Sequence, residues 1–166
     1  NYDTNSERLF GTMGDGVLFS ADREKYIEFC KRENHKTLLG YGLALSPEQL
    51  AAIDKEIAKL MSLTVPWDPP KTVKPKRPGI DKEEPMYAYK LKQEADGRLY
   101  KFTSSKFKTY FVMSTNCVLL ADTIVGAAGT DILSVRGFIS PGTYQDYLDK
   151  EFERPHSLVV TKRVYQ

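Results

Sequence analysis

Six of the nine prolines of this 166-residue chain fall between Pro66 and Pro85, and that cluster limits the fold more than any other feature. Proline lacks a backbone N–H and fixes φ, so neither a long helix nor an interior strand can run through the segment. The stretch also carries Lys71, Lys74, Lys76 and Arg77. It reads as an extended, exposed basic loop or linker, and regular structure is to be sought on either side of it.

Before the loop, residues 1–16 are polar and hold Gly11, Gly14 and Gly16, a pattern that predicts irregular chain. Val17-Leu18-Phe19 predicts a short strand, and Ser20 an N-cap for a helix over 23–32. Tyr26, Ile27, Phe29 and Cys30 recur at three- and four-residue spacing, which makes Cys30 a small core residue. Leu38 to Leu45 reads as a strand. Ser46-Pro47-Glu48-Gln49 then combines Ser at the N-cap, Pro at the first helical position and Gln at the third, a capping box. The helix it opens, 47–62, carries one apolar stripe of Leu50, Ile53, Ile57, Leu60 and Met61.

After the loop, Met86–Leu91 and Arg98–Thr103 read as strands of a hairpin turning at Asp96-Gly97. Tyr87, Tyr89, Tyr100 and Phe102 alternate with lysines there, as on a half-buried sheet face. An aromatic platform for single-stranded nucleic acid has the same ingredients. Thr109–Ser114 predicts a strand. A helix then starts at Asn116-Cys117 and ends near Gly126 or Gly129, and Ser140-Pro141 caps another with Tyr144, Tyr147 and Leu148 facing inward. Leu158–Tyr165 closes the chain as a strand. The expected fold is α+β, a small antiparallel sheet with the 47–62 and 117–126 helices packed on it.

Composition narrows the function classes. A chain of this length is the size of one ordinary domain and buries roughly 70% of its unfolded surface, enough to fold without a metal or disulfide staple. The net charge of +2 lacks the concentrated basic face expected of a nucleic-acid binder, so no nucleic-acid partner is expected. No apolar run reaches the length of a membrane span. The two cysteines, Cys30 and Cys117, and the two isolated histidines, His35 and His156, form no zinc-site spacing. No metal or cofactor is expected.

The stretch Tyr110-Phe111-Val112-Met113-Ser114-Thr115-Asn116-Cys117, followed by an apolar run, carries the chemistry. A cysteine in the first turn of a helix faces unpaired N–H groups and the positive end of the helix dipole, which favour thiolate over thiol. The same N–H groups can hold the oxyanion formed when sulfur attacks a carbonyl. Strand, polar turn, cysteine and buried helix together make a nucleophile mount. A structural cysteine at a helix start is the competing reading.

The order of Leu-Ala-Leu-Ser-Pro-Glu-Gln at 43–49, Ser-Thr-Asn-Cys at 114–117, Gly-Ala-Ala-Gly at 126–129 and Ser-Pro-Gly-Thr-Tyr at 140–144 resembles permuted NlpC-type, papain-like domains of bacterial envelope proteins. Lecithin retinol acyltransferase-like proteins share the Asn-Cys helix start. The similarity covers roughly residues 38–63 and 108–150. It implies a cysteine peptidase- or amidase-like hydrolase or acyltransferase acting on an amide, ester or thioester. The implied substrate is a peptidoglycan peptide or lipid-linked acyl group, and the implied location extracytoplasmic. By the same resemblance Cys117 matches the nucleophile, and Asn116 the residue before it that caps the helix. The family histidine would lie upstream in a Gly-His or His-x-Gly context that this chain lacks. The base is therefore His156, His35 or a residue upstream of Asn1, or the chain is an inactive relative. The alternative is a non-catalytic domain using the basic loop and the tyrosine-rich hairpin to hold an anionic polymer, a membrane surface or a partner protein.

Overall fold

The computed structural model describes residues 2–35, 37–74, 79, 81–129 and 140–166. Lys76 and Arg77 of the basic loop lie outside the described residues.

The polar N-terminal segment forms a hairpin rather than irregular chain. Strand β1 (Tyr2–Arg8) pairs antiparallel with β2 (Met13–Ser20) around a turn of 3-10 helix over Leu9–Gly11. Its polar side chains hold the ladder where the register is irregular. The Ser6 hydroxyl donates to the Asp3 carbonyl at 2.6 Å and accepts from the Asp15 N–H at 2.7 Å. Composition predicts a loop here because it counts polar residues, not the hydrogen bonds that satisfy them.

Strand β2 organises the main sheet. On one edge it meets β1. On the other, Met13–Asp15 pairs with β8 (Thr109–Phe111) and Val17–Ser20 with β7 (Arg98–Phe102), which in turn pairs with the short β4 (Thr64–Pro66). Antiparallel partners share a face and alternate residues switch faces. Val17, Phe19, Leu99 and Lys101 therefore point one way, and Leu18, Tyr100 and Phe102 the other.

Helices cover both faces. On the first lie α1 (Arg23–Asn34) and α3 (Tyr87–Glu94), with Phe29, Cys30, Leu91 and Ala95 in one buried cluster and Val17, Val73, Met86, Ala88 and Leu99 in another. On the second lie α2 (Pro47–Ser62) and α4 (Cys117–Gly126), where Leu60, Phe102 and Phe107 are buried against Leu18, Leu119, Leu120 and Ile124. The expected α+β architecture, with these two helices packed on an antiparallel sheet, is what the chain forms. A separate ribbon of β3 (Leu38–Leu43) and β9 (Val159–Tyr165) packs with α5 (Pro141–Glu153). The Asp149 carboxylate accepts from Tyr41 at 2.7 Å and pairs with Lys162 at 2.5 Å.

Several local expectations need correction. Residues 87–94 are helical, so the predicted hairpin with 98–103 does not form. Ala88, Leu91 and Ala95 are buried at helical spacing, and Tyr87 stacks edge-on against Phe29 with centroids 5.3 Å apart. The period-two tyrosines are a coincidence of composition, and Tyr87 and Tyr89 serve the core rather than a stacking platform. Asp96-Gly97 does turn the chain, but from helix to strand; Asp96 has φ +50°. The cap of α1 is Asp22, whose side chain accepts the Lys25 N–H, rather than Ser20. The described part of the proline-rich loop is mostly exposed yet buries Pro69 and Val73, and the two-residue strand β5 (Thr72–Val73) pairs with β6 (Glu84–Pro85).

Candidate functional site

Strand β8 ends at Phe111, and a tight turn carries the chain into α4. The Thr115 hydroxyl donates back to the Thr109 carbonyl at 2.7 Å, and the Ser114 N–H to Phe111 at 3.0 Å. The Asn116 amide donates to the Val112 carbonyl at 3.1 Å. Asn116 is 5% exposed, and its Oδ1 accepts from the Val118 and Leu119 N–H groups at 3.0 and 3.1 Å. Both expectations for this segment hold: Asn116 is the helix N-cap, and Cys117 is the first helical residue after a strand and a polar turn.

Asn116 ties strand end to helix start, so its removal disturbs both. Asn116→Ala is expected to lower stability by about 1–2 kcal/mol through loss of the cap, or roughly 2–8 °C in melting temperature for a chain of this size. A melt within 1 °C of wild type (a shift of roughly 0.3–0.5 kcal/mol) would mean that the cap is not holding the turn.

Cys117 is exposed, whereas Cys30 is buried. The thiol borders a small notch of about 20 Å³ whose walls include Gly16, Phe107, Tyr110, Thr115, Asn116 and Leu120. That volume is about one water molecule. With Val118 and Leu119 taken by Asn116, the first-turn N–H that meets no acceptor among the described residues is that of Cys117 itself. Tyr110, stacked on Tyr2 with centroids 5.2 Å apart, has its hydroxyl pushed above the ordinary tyrosine range, first by burial and then by its electrostatic interaction with Cys117. It stays a proton donor at neutral pH. Burial, and next a hydrogen bond to Cys30, similarly raise Tyr26.

The histidines are placed elsewhere. His35 is the exposed, left-handed C-cap of α1, its N–H donating to the Lys31 carbonyl at 3.1 Å. His156 is exposed in the turn between α5 and β9, at φ +64°. No histidine lines the Cys117 notch. Among the described residues, no three His, Cys, Asp or Glu side chains form a metal-ligand set, and no helix is long and apolar enough to cross a membrane.

Sequence reasoning missed Tyr110 and Gly16. Tyr110 reaches Cys117 through the turn closed by Thr115 on Thr109, and Gly16 through the pairing of β2 with β8, in which Gly14 faces Tyr110. No local pattern in either segment signals that long-range register. No protein-family model, curated protein or solved structure matches the chain.

Proposed function

We propose that Cys117 is the nucleophile of a thiol-dependent acyl-transfer site of the permuted NlpC kind. It would act on an amide, ester or thioester of extracytoplasmic envelope material. The observation that carries this reading is an exposed thiol on the first residue of a ten-residue helix that follows a strand of the central sheet across a tight polar turn. In the reaction, sulfur forms a bond to the substrate carbonyl carbon, and the bond to nitrogen, oxygen or sulfur breaks as the leaving group takes a proton. Water or an amine then resolves the thioester. The Cys117 N–H is the candidate donor to the oxyanion, and the Tyr110 hydroxyl a second one.

A non-catalytic binding domain is the second reading. It is favoured by the notch, which holds about one water and has no histidine in its walls.

Iodoacetamide alkylation measured against pH separates the two. Wild type is expected to show one thiol reacting fast near neutral pH, lost in Cys117→Ala and kept in Cys30→Ala. A fast thiol that survives in Cys117→Ala overturns the hydrolase reading. So does an absence of reaction below about pH 8, where an ordinary cysteine is mostly protonated. His156→Gln and His35→Gln in the same assay decide the base. Loss of neutral-pH reactivity in one variant identifies it, and unchanged profiles in both exclude the two histidines of the chain.

A further inference from the structure

The ribbon of β3 and β9 has two faces with different electrostatic character. On the α5 side the Lys162 charge is neutralised by Asp149 at 2.5 Å. On the other side Leu38, Gly40 and Gly42 of β3 stand opposite Tyr165, Arg163 and Thr161 of β9. The two glycines let the Thr161 and Tyr165 side chains lie across β3. A Cβ at Gly42 would lie 2.3 Å from the Thr161 hydroxyl, and one at Gly40 would lie 3.1 Å from the Tyr165 ring. The result is an open groove of about 290 Å³ whose walls, among the described residues, include Arg23, Thr161, Arg163 and Tyr165 and no Asp or Glu.

Its two guanidiniums are differently held. Arg23 is fixed, its Nη2 donating to the Tyr165 hydroxyl and its guanidinium carbon 5.6 Å from that ring's centroid; Nη1 meets the exposed Glu24. As the first residue of α1, Arg23 sits at the positive end of the helix dipole, where a cation is disfavoured. Arg163 is exposed and makes no ion pair among the described residues. The Tyr165 oxygen accepts from Arg23, so its own O–H is free to donate outward, as is that of Thr161. One guanidinium without an ion pair, a second shared with the exposed Glu24, and two hydroxyls around one groove match the charge and the several acceptor oxygens of a phosphoryl group.

We propose that this groove binds a phosphate group, either of a soluble phosphate ester or of a phospholipid headgroup. The site is independent of Cys117 and of the acyl-transfer reading. Inorganic phosphate, titrated into the full chain by calorimetry at constant ionic strength with chloride and acetate as controls, tests it. Phosphate is expected to bind and the controls not to. Arg163→Gln is expected to weaken binding at least about tenfold, the size of one lost charge-assisted hydrogen bond, with its thermal melt unchanged. Arg163→Lys should recover part of the loss. Vesicles of phosphatidylcholine with and without phosphatidylglycerol separate the sources. Sedimentation with the anionic vesicles, relieved by free phosphate, identifies a headgroup, and binding of phosphate alone a soluble ester. No phosphate binding, an equal response to acetate, or wild-type affinity in Arg163→Gln overturns the proposal.

Discussion

Gly16→Ala is expected to cost on the order of 3 kcal/mol or more, the upper end of the penalty for forcing an extra methyl group into a packed site. The Cβ would stand 1.9 Å from the carbonyl oxygen of Phe107 and 3.1 Å from its carbonyl carbon. The obstacle is backbone, so no rotamer change relieves it. Either β2 or the turn over 106–108 must move. That turn delivers Phe107, 6% exposed, into the cluster with Leu60 and Phe102, ring against ring at 5.6 Å from Phe102. It also forms a wall of the Cys117 notch. Displacing it loosens the second face of the sheet and the site together. The expected fall in melting temperature is about 6–12 °C for a chain of this size. Gly126→Ala is the control. Nothing lies within 4 Å of its Cβ and it ends a helix, so it should be neutral or stabilise by up to about 1 kcal/mol. Equal urea midpoints for the two variants would refute the close approach at Gly16.

Lys101→Met is expected to cost about 3–5 kcal/mol, because it strands a carboxylate out of water. Asp3 is 5% exposed, and its Oδ2 meets the Lys101 ammonium at 2.5 Å while Oδ1 accepts the Asn5 N–H at 3.0 Å. The ammonium also lies 4.8 Å from the centre of the Trp67 ring. Methionine keeps the apolar stem against Trp67 and removes the charge, so packing loss contributes little. The pair joins three separate segments, since Asp3 lies on β1, Lys101 on β7 and Trp67 just after β4. The double variant Asp3→Asn, Lys101→Met should recover most of the loss, because an amide costs far less to bury than an unpaired carboxylate. If the double variant is as unstable as Lys101→Met, the stranded charge is not the cause.

These two sites show where local reading stops. Helix α2 was legible because its determinants lie within one turn of each end. Ser46 and Gln49 satisfy each other's backbone donors, Pro47 fits the first helical position, and the apolar stripe includes the buried Leu60. The mount of Cys117 was legible for the same reason: the Asn116 oxygen reaches N–H groups two and three residues on. Residues 87–94 were misread because a short apolar run fits both periods, and burial against Phe29 and β7 chose the helix. Residues 1–16 were misread because their polar groups are satisfied across the hairpin, Tyr2 to Glu7 and Asp15 to Ser6, and by Lys101 arriving from β7.

By itself the sequence determined short-range elements: the caps of α2, α4 and α5 at Ser46, Asn116 and Ser140, the break at the prolines, and a cysteine on the first residue of a helix. Hydrogen bonds spanning two to four residues are written locally, and local pattern suffices to read them. Tertiary structure alone decided which residues share a surface with that cysteine. Strand register brought Gly16 to Cys117 and set Arg163 opposite a glycine beside Arg23, while His35 and His156 were left at exposed turns. Register is fixed by burying one face of each strand against a partner distant in the chain, and no local window contains both sides of that contact.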